Sequence, residues 1–296
     1  MEGNILTEVF LPLTLAVIML GMGLSLTVTD FKRIFIYPKA VTLGLINQLL
    51  ILPLIAFALA IFFDLAPGLA VGLMILAACP GGPTSNLISH LANGDTALSI
   101  TLTAFSSLIT VITIPFIVNF SISYFIPGGE QPPLNIFGTV ISVLAITIIP
   151  VAIGMLIFKK SPQLAQKMDR PFRIFSAVFF VVIILAAILK EQENIVDYFS
   201  QIGPVALGLN VLTLAFGFFS AKSLGLVANQ ARTISIESGI QNGTLGITIA
   251  ATLIGNSEMT IPSAVYSLIM FGTAGLLIFI GSNKKTTTKT AKTQGA

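Results

Sequence analysis

Nine apolar runs follow one another along this chain with only short polar breaks between them, at about 6–27, 40–62, 68–91, 96–124, 134–158, 172–190, 203–221, 231–254 and 260–282. About twenty predominantly apolar residues cross a lipid hydrocarbon core, and each run approaches or exceeds that length. In hydrocarbon every backbone N–H and C=O must be satisfied within the protein, which favours helices for such runs. The sequence therefore predicts an all-α polytopic membrane protein with nine transmembrane helices. Charged residues make up only 9% of the chain, against about 25% in soluble domains. No interval is long enough to hold a soluble domain.

The charges orient these spans. Lys32, Arg33 and Lys39 follow the first run, and Lys159, Lys160, Lys167, Arg170 and Arg173 follow the fifth. Lys222 and Arg232 lie between the seventh and eighth, and Lys284, Lys285, Lys289 and Lys292 follow the ninth. With nine spans, fourteen of the fifteen basic residues share one side and only Lys190 lies opposite. Glu2, Glu8, Asp64, Glu130, Glu191, Glu193, Asp197 and Glu258 fall on that opposite side. Because cytoplasmic loops carry the Lys/Arg excess, the N-terminus is expected outside and the C-terminus inside, in a cell (inner) membrane. The net charge of +3 then reflects topology, and no nucleic-acid partner is expected. The start lacks a basic region and a small-residue cleavage site, so the first run is expected to remain as a span. The tail, 284–296, rich in Thr and Lys, is expected to be a disordered cytoplasmic anchor. Cys79 and His90 are the only residues of their kinds, which excludes an intrachain disulfide and multi-Cys or multi-His metal motifs.

Two runs are interrupted. The third carries Cys79-Pro80-Gly81-Gly82-Pro83-Thr84-Ser85-Asn86, and the eighth carries Glu237-Ser238-Gly239-Ile240-Gln241-Asn242-Gly243. Glu237 is the one acid placed mid-run, where an ionisable group costs at least about 2.5–3.5 kcal/mol and so marks a functional site. Each interrupted run is followed by a polar turn (Ala92–Asp95, Gly255–Glu258) and a further span. The interrupted runs are five spans apart, so they enter from opposite faces, which is inverted-repeat logic.

Prolines and glycines remove backbone donors and helical preference together. The carbonyls they free must line a cavity or coordinate something. A hard cation such as Na⁺ seeks oxygen ligands, and the candidates are Glu237, Gln241, Ser85, Asn86 and freed carbonyls. Ser99 and Thr103, four apart after the first hairpin, are placed to face Ser85 and Asn86. The half-helix starts near Thr84 and near Asn242–Thr244 present unpaired amides that favour an anion. Plainer alternatives stand beside these readings: a kink at either knot, back-bonded hydroxyls for Ser99 and Thr103, an interhelical hydrogen bond for Gln48, a neutral buried acid at Glu237, and packing for Cys79. An intramembrane protease would want paired aspartates or a Ser–His pair, which are not present mid-span, so no enzyme is expected. Proton coupling through Glu237, or a channel or sensor, remains an alternative to Na⁺-coupled transport.

The two knots, with Ala97-Leu98-Ser99 and the early segment Gly21-Met22-Gly23-Leu24-Ser25-Leu26…Asp30-Phe31, resemble the bile acid:sodium symporter family over essentially the whole chain. The resemblance implies a panel domain and a core domain in which two broken helices cross: 1–39 panel, 40–133 first core repeat, 134–202 panel, 203–283 second core repeat. It implies two sodium ions, one on Ser85, Asn86, Ser99, Thr103 and Glu237, the other on Gln48, Glu237, Gln241 and the carbonyls of Ser238 and Ile240. It also implies an organic-anion substrate, such as a bile acid, pantoate or another carboxylate. Substrate contacts are expected at Pro83, Thr84, Asn242, Thr244 and Met270. Met270-Phe271 stands where some bacterial relatives carry polar residues.

Overall fold

The computed structural model describes residues 9–128, 134–190 and 195–293, and every secondary-structure element among them is helical. Glu2, Glu8, Glu130, Glu191 and Glu193 lie outside the described residues. Helix α1 (Leu11–Gly23) turns by 77° into α2 (Val28–Phe35). The turn is a cap: the Thr27 amide and hydroxyl both donate to Asp30 at 2.7 Å, and Arg33 pairs with the same carboxylate at 3.2 Å. The first helix stops at Gly23, short of the predicted residue 27, where the amides of Leu24, Ser25 and Leu26 turn back onto the carbonyls of Leu20, Met22 and Gly23.

Four helices follow: α3 (Pro38–Phe62), α4 (Pro67–Ala78), α5 (Pro83–Leu91) and α6 (Thr96–Phe125). Then come α7 (Ile136–Lys160), α8 (Pro162–Lys190), α9 (Ile195–Ser223) and α10 (Ala228–Gly239). The last are α11 (Gly243–Thr248), continued by a π-helical turn at Ile249–Ile254, and α12 (Ile261–Thr293). Helix α8 starts earlier than predicted, so Lys167 and Arg170 ride on a helix instead of a loop; a proline in the first turn suits a helix start. Helix α12 continues to Thr293, through most of the segment predicted as a disordered tail. Propagating an existing helix avoids the nucleation cost.

Five described helices are long and apolar enough to cross a membrane, and two bent pairs (α1–α2 and α4–α5) meet the test together. The chain is thus a multi-pass membrane protein by length and composition. The other predicted runs, 172–190 and 231–254, fall on α8 and on α10–α11. Leu108, Ile112, Phe116, Phe120 and Tyr124 are exposed at four-residue intervals on α6, an apolar stripe that suits contact with lipid. Helix α4 has the opposite character. Every residue from Gly68 to Ala78 is buried, as is all of α11, as expected of helices packed on all sides.

Helix α1 packs on α7 and α8, while α3–α6 and α9–α12 pack mainly on one another. Glycines set the closest approaches. A Cβ on Gly154 would lie 2.4 Å from the Leu20 carbonyl oxygen, and one on Gly23 would lie 2.2 Å from that of Val151, so the α1 and α7 backbones touch. At one end of the bundle Arg232, on α10, donates to the carbonyls of Ala92 and Asn93 at 2.8 Å each. The Asp95 amide donates to Thr233 Oγ1 at 2.7 Å. Near the start of α4, a Cβ on Gly68 would lie 2.3 Å from Glu258 Oε2. Each broken helix therefore begins against the hairpin that follows the other.

Candidate functional site

Pro80 and Pro83 lack amide protons and cannot extend the ladder of α4. The chain is extended at Cys79 (ψ 150°), and α5 restarts at Pro83. Helix α10 ends at Gly239, and Ile240 is extended (φ −107°, ψ 110°). The Asn242 side chain then caps α11 by accepting from the Leu245 amide at 3.1 Å. The two breaks meet: the Asn242 amide donates to the Pro80 carbonyl at 2.9 Å.

Glu237, with 3% of its surface exposed, lies beside this crossing. Ser99 Oγ contacts its Oε1, and Thr103 Oγ1 contacts its Oε2 at 2.9 Å. Both hydroxyls also reach Asn86 Oδ1, at 2.8 and 3.1 Å. Ser85 Oγ is 3.4 Å from Thr103 Oγ1 and donates to the Gly82 carbonyl at 2.9 Å. Ser99 and Thr103 own one hydroxyl proton each, yet they make four close contacts to acceptor oxygens. Among the described residues no Lys or Arg pairs with Glu237, although buried charges normally have a partner. No group of three His, Cys, Asp or Glu side chains occurs among the described residues. The chemistry here is that of neutral oxygens around one carboxylate.

A second group adjoins the first. Gln48 Nε2 donates to Gln241 Oε1 at 2.6 Å and to the Cys79 carbonyl at 3.1 Å, and Gln241 Nε2 donates to the Ser238 carbonyl at 2.9 Å. Gln48 Oε1 is buried with no partner among the described residues. Gln48 and Glu237 both border a narrow gap, too small to hold a water molecule, with Gly44, Leu45, Leu102 and Ser106 around it. Gly81 leaves room beside them, since a Cβ there would lie 2.9 Å from Glu237 Oε2.

The residues expected to meet a substrate are more dispersed in character. Pro83 and Thr84 are half-buried at the start of α5, while Asn242 and Thr244 are buried. Asn242 Nδ2 has no partner among the described residues. Met270 is 2% exposed within the apolar cluster that holds Ile88, Ile240 and Tyr266; Phe271 is exposed. A separate, almost wholly apolar cavity of about 170 Å³ lies between α1, α6 and α7, with Met22, Ala104, Ser107, Val151 and Met155 among its walls.

The sequence reading missed Asn210 and Tyr266, both fully buried. Each donates to the Gly239 carbonyl at 2.7 Å. A signal was available: Asn210 is a lone amide inside the apolar run Ala206–Leu214.

The model of the Sodium Bile acid symporter family matches residues 12–198. The chain belongs to this family. An uncharacterized sodium-dependent transporter of Bacillus subtilis, YocS, is 31% identical over 259 residues, covering 88% of this chain and 78% of that protein. The probable sodium/metabolite cotransporter BASS2 of rice chloroplasts is 30% identical over 267 residues, 90% of this chain and 62% of that protein. The human ileal sodium/bile acid cotransporter is 29% identical over 286 residues, 94% and 80% respectively. The chain thus spans about three-fifths of the chloroplast relative's length. Sodium bile acid symporters are membrane transporters that depend on sodium, not enzymes.

Proposed function

We propose that the protein is a secondary active transporter that carries an organic anion inward with two Na⁺ by alternating access. The shortage of protons around Glu237 supports this reading above all. Oxygens of Ser85, Asn86, Ser99, Thr103 and Glu237 crowd together with too few hydrogens to bridge them. A cation with oxygen preference relieves that crowding and supplies the counter-charge the carboxylate lacks. The second Na⁺ is taken by Gln48, Gln241, Glu237 and the carbonyls of Ser238 and Ile240, where Gln48 Oε1 is a buried acceptor awaiting a partner.

The substrate's acidic group docks beside Thr84, Asn242 and Thr244, where Asn242 Nδ2 is a buried donor without a partner among the described residues. Helices α1 and α2 with α7 and α8 form the panel, and the remaining helices form the core with the crossing. The reciprocal contacts of Arg232 with the first hairpin and of Gly68 with Glu258 accord with two inverted repeats in a nine-span chain. The Lys/Arg excess on one side of the nine spans supports a cytoplasmic C-terminus in a cell (inner) membrane. Each inward Na⁺ then contributes about 2.3 kcal/mol per 100 mV, besides its concentration gradient.

The test begins with melting of the detergent-purified protein in NaCl against choline chloride, across a panel of organic anions. Ligands of the folded state raise the melting temperature. Anions that stabilise only with Na⁺ are then taken into proteoliposome uptake, where Glu237→Ala is expected to abolish Na⁺-dependent accumulation. Full wild-type uptake without Na⁺ refutes the coupling. Proton coupling is the second reading, because a proton on Glu237 would also supply one missing bond. Uptake that follows pH in choline buffer identifies that case.

A further inference from the structure

The break after α10 frees the carbonyls of its last turn, and they are handled in two different ways. The Ser238 carbonyl accepts from Gln241, on the side of the crossing where Gln48 also lies. The Gly239 carbonyl is taken from outside the crossing, by Asn210 Nδ2 on α9 and Tyr266 Oη on α12, at 2.7 Å each. Asn210 Nδ2 also donates to Tyr266 Oη at 3.2 Å. Two amide protons and one phenol proton serve three bonds, so this triangle is proton-complete. The Glu237 cluster, a few residues earlier, is proton-poor. The Asn210 amide holds this orientation although its Oδ1 has no partner among the described residues. Turning the amide over would set that oxygen against the Gly239 carbonyl. Helix α9 can come this close because Gly239 has no side chain, where a Cβ would lie 2.5 Å from Leu214.

Ile240 is extended, and along extended backbone successive groups point to opposite sides. Holding the Gly239 carbonyl toward α9 and α12 therefore turns the Ile240 carbonyl the other way, toward the crossing. We infer that Asn210 and Tyr266 are positioning residues for Na⁺ binding. They anchor the one freed carbonyl that faces away, and so set the direction of the Ser238 and Ile240 carbonyls that face the ion. Neither residue touches the ion. The inference rests on the Na⁺ sites proposed above.

The full chain in detergent is titrated with NaCl at constant ionic strength (choline chloride as balance), reading the Na⁺ concentration that gives half of the melting-temperature rise. Tyr266→Phe keeps the ring and loses one donor, and Asn210→Ser shortens the other. Each is expected to raise the half-saturating Na⁺ about fivefold, the worth of one neutral hydrogen bond. Ser235→Ala is the control: its hydroxyl donates to the Leu214 carbonyl at 2.6 Å, linking the same pair of helices α9 and α10 away from the break. It is expected to lower the melting temperature while leaving the Na⁺ midpoint at the wild-type value. Wild-type midpoints in Tyr266→Phe and Asn210→Ser overturn the positioning role, whatever their melting temperatures. So does failure of both variants to fold even at saturating Na⁺, since positioning leaves the fold intact. A wild-type protein that melts identically in Na⁺ and choline removes the underlying sites and this inference with them.

Discussion

The amide of Asn242 donates to the carbonyl of Pro80 at 2.9 Å, bonding the two helix breaks to each other where they cross. Inside a regular helix the Pro80 carbonyl would be taken by residue 84, and the Asn242 amide would reach back to residue 238. Each break thus satisfies an orphan of the other, as a dry interior demands. Glu237, five residues before Asn242, contacts the hydroxyls of Ser99 and Thr103 that follow the first break, a second link between the two halves.

The proton count around Glu237 makes a specific prediction for Glu237→Gln. The amide adds donors where acceptors crowd, so the Na⁺-free melting temperature should rise by about 2 °C, while stabilisation by Na⁺ disappears. Melting curves in choline and in sodium chloride read both effects at once.

Removing single oxygens should weaken the ion in proportion. Ser99→Ala and Thr103→Val each take away one hydroxyl in contact with the carboxylate. Each is expected to raise half-saturating Na⁺ about tenfold, the scale of one bond to a charged group. Titration by melting or by uptake gives the number.

Gly81→Ala should act through space. Its Cβ would stand 2.9 Å from Glu237 Oε2 and 3.2 Å from Ser85 Oγ, so both oxygens would have to shift from the positions they hold around the proposed ion. Na⁺ stabilisation is expected to fall at least about tenfold. Gly272→Ala meets nothing within 4 Å among the described residues and should be neutral or stabilising by about 0.5–1 kcal/mol, which thermal melting distinguishes.

Arg232 serves the frame. Arg232→Gln loses the charge-assisted bonds to the Ala92 and Asn93 carbonyls, at a cost of about 1.5–3 kcal/mol. Melting temperature should fall in sodium and choline alike, with the Na⁺ midpoint within about twofold of wild type.

Much of the site was legible in the sequence. Glu237 stood out because a carboxylate in an apolar run demands a reason, and the Pro-Gly-Gly-Pro knot declared its break without reference to anything else in the chain. Ser99 and Thr103 were found because their four-residue spacing puts both on one helix face. Helix ends were less legible. The first helix stops at Gly23, where the next amides turn back onto the Leu20, Met22 and Gly23 carbonyls before Thr27 and Asp30 cap α2, and α12 runs on to Thr293, where composition favoured disorder. Met270, read from the sequence as a substrate contact, is 2% exposed in the cluster with Ile240 and Tyr266, a degree of burial that its identity in the sequence does not specify.

By itself the sequence determined that this chain lies in a bilayer, where it is interrupted, and which carboxylate needs a partner. Those outcomes follow from local rules: hydrocarbon thickness sets the length of a span, proline withholds a proton, and burying a charge is costly. Only the tertiary structure decided that the breaks bond to each other, and that Asn210 and Tyr266, from helices 56 residues apart in the chain, seize the Gly239 carbonyl. A freed carbonyl has no sequence signature for its direction, because that depends on which donors packing brings to it.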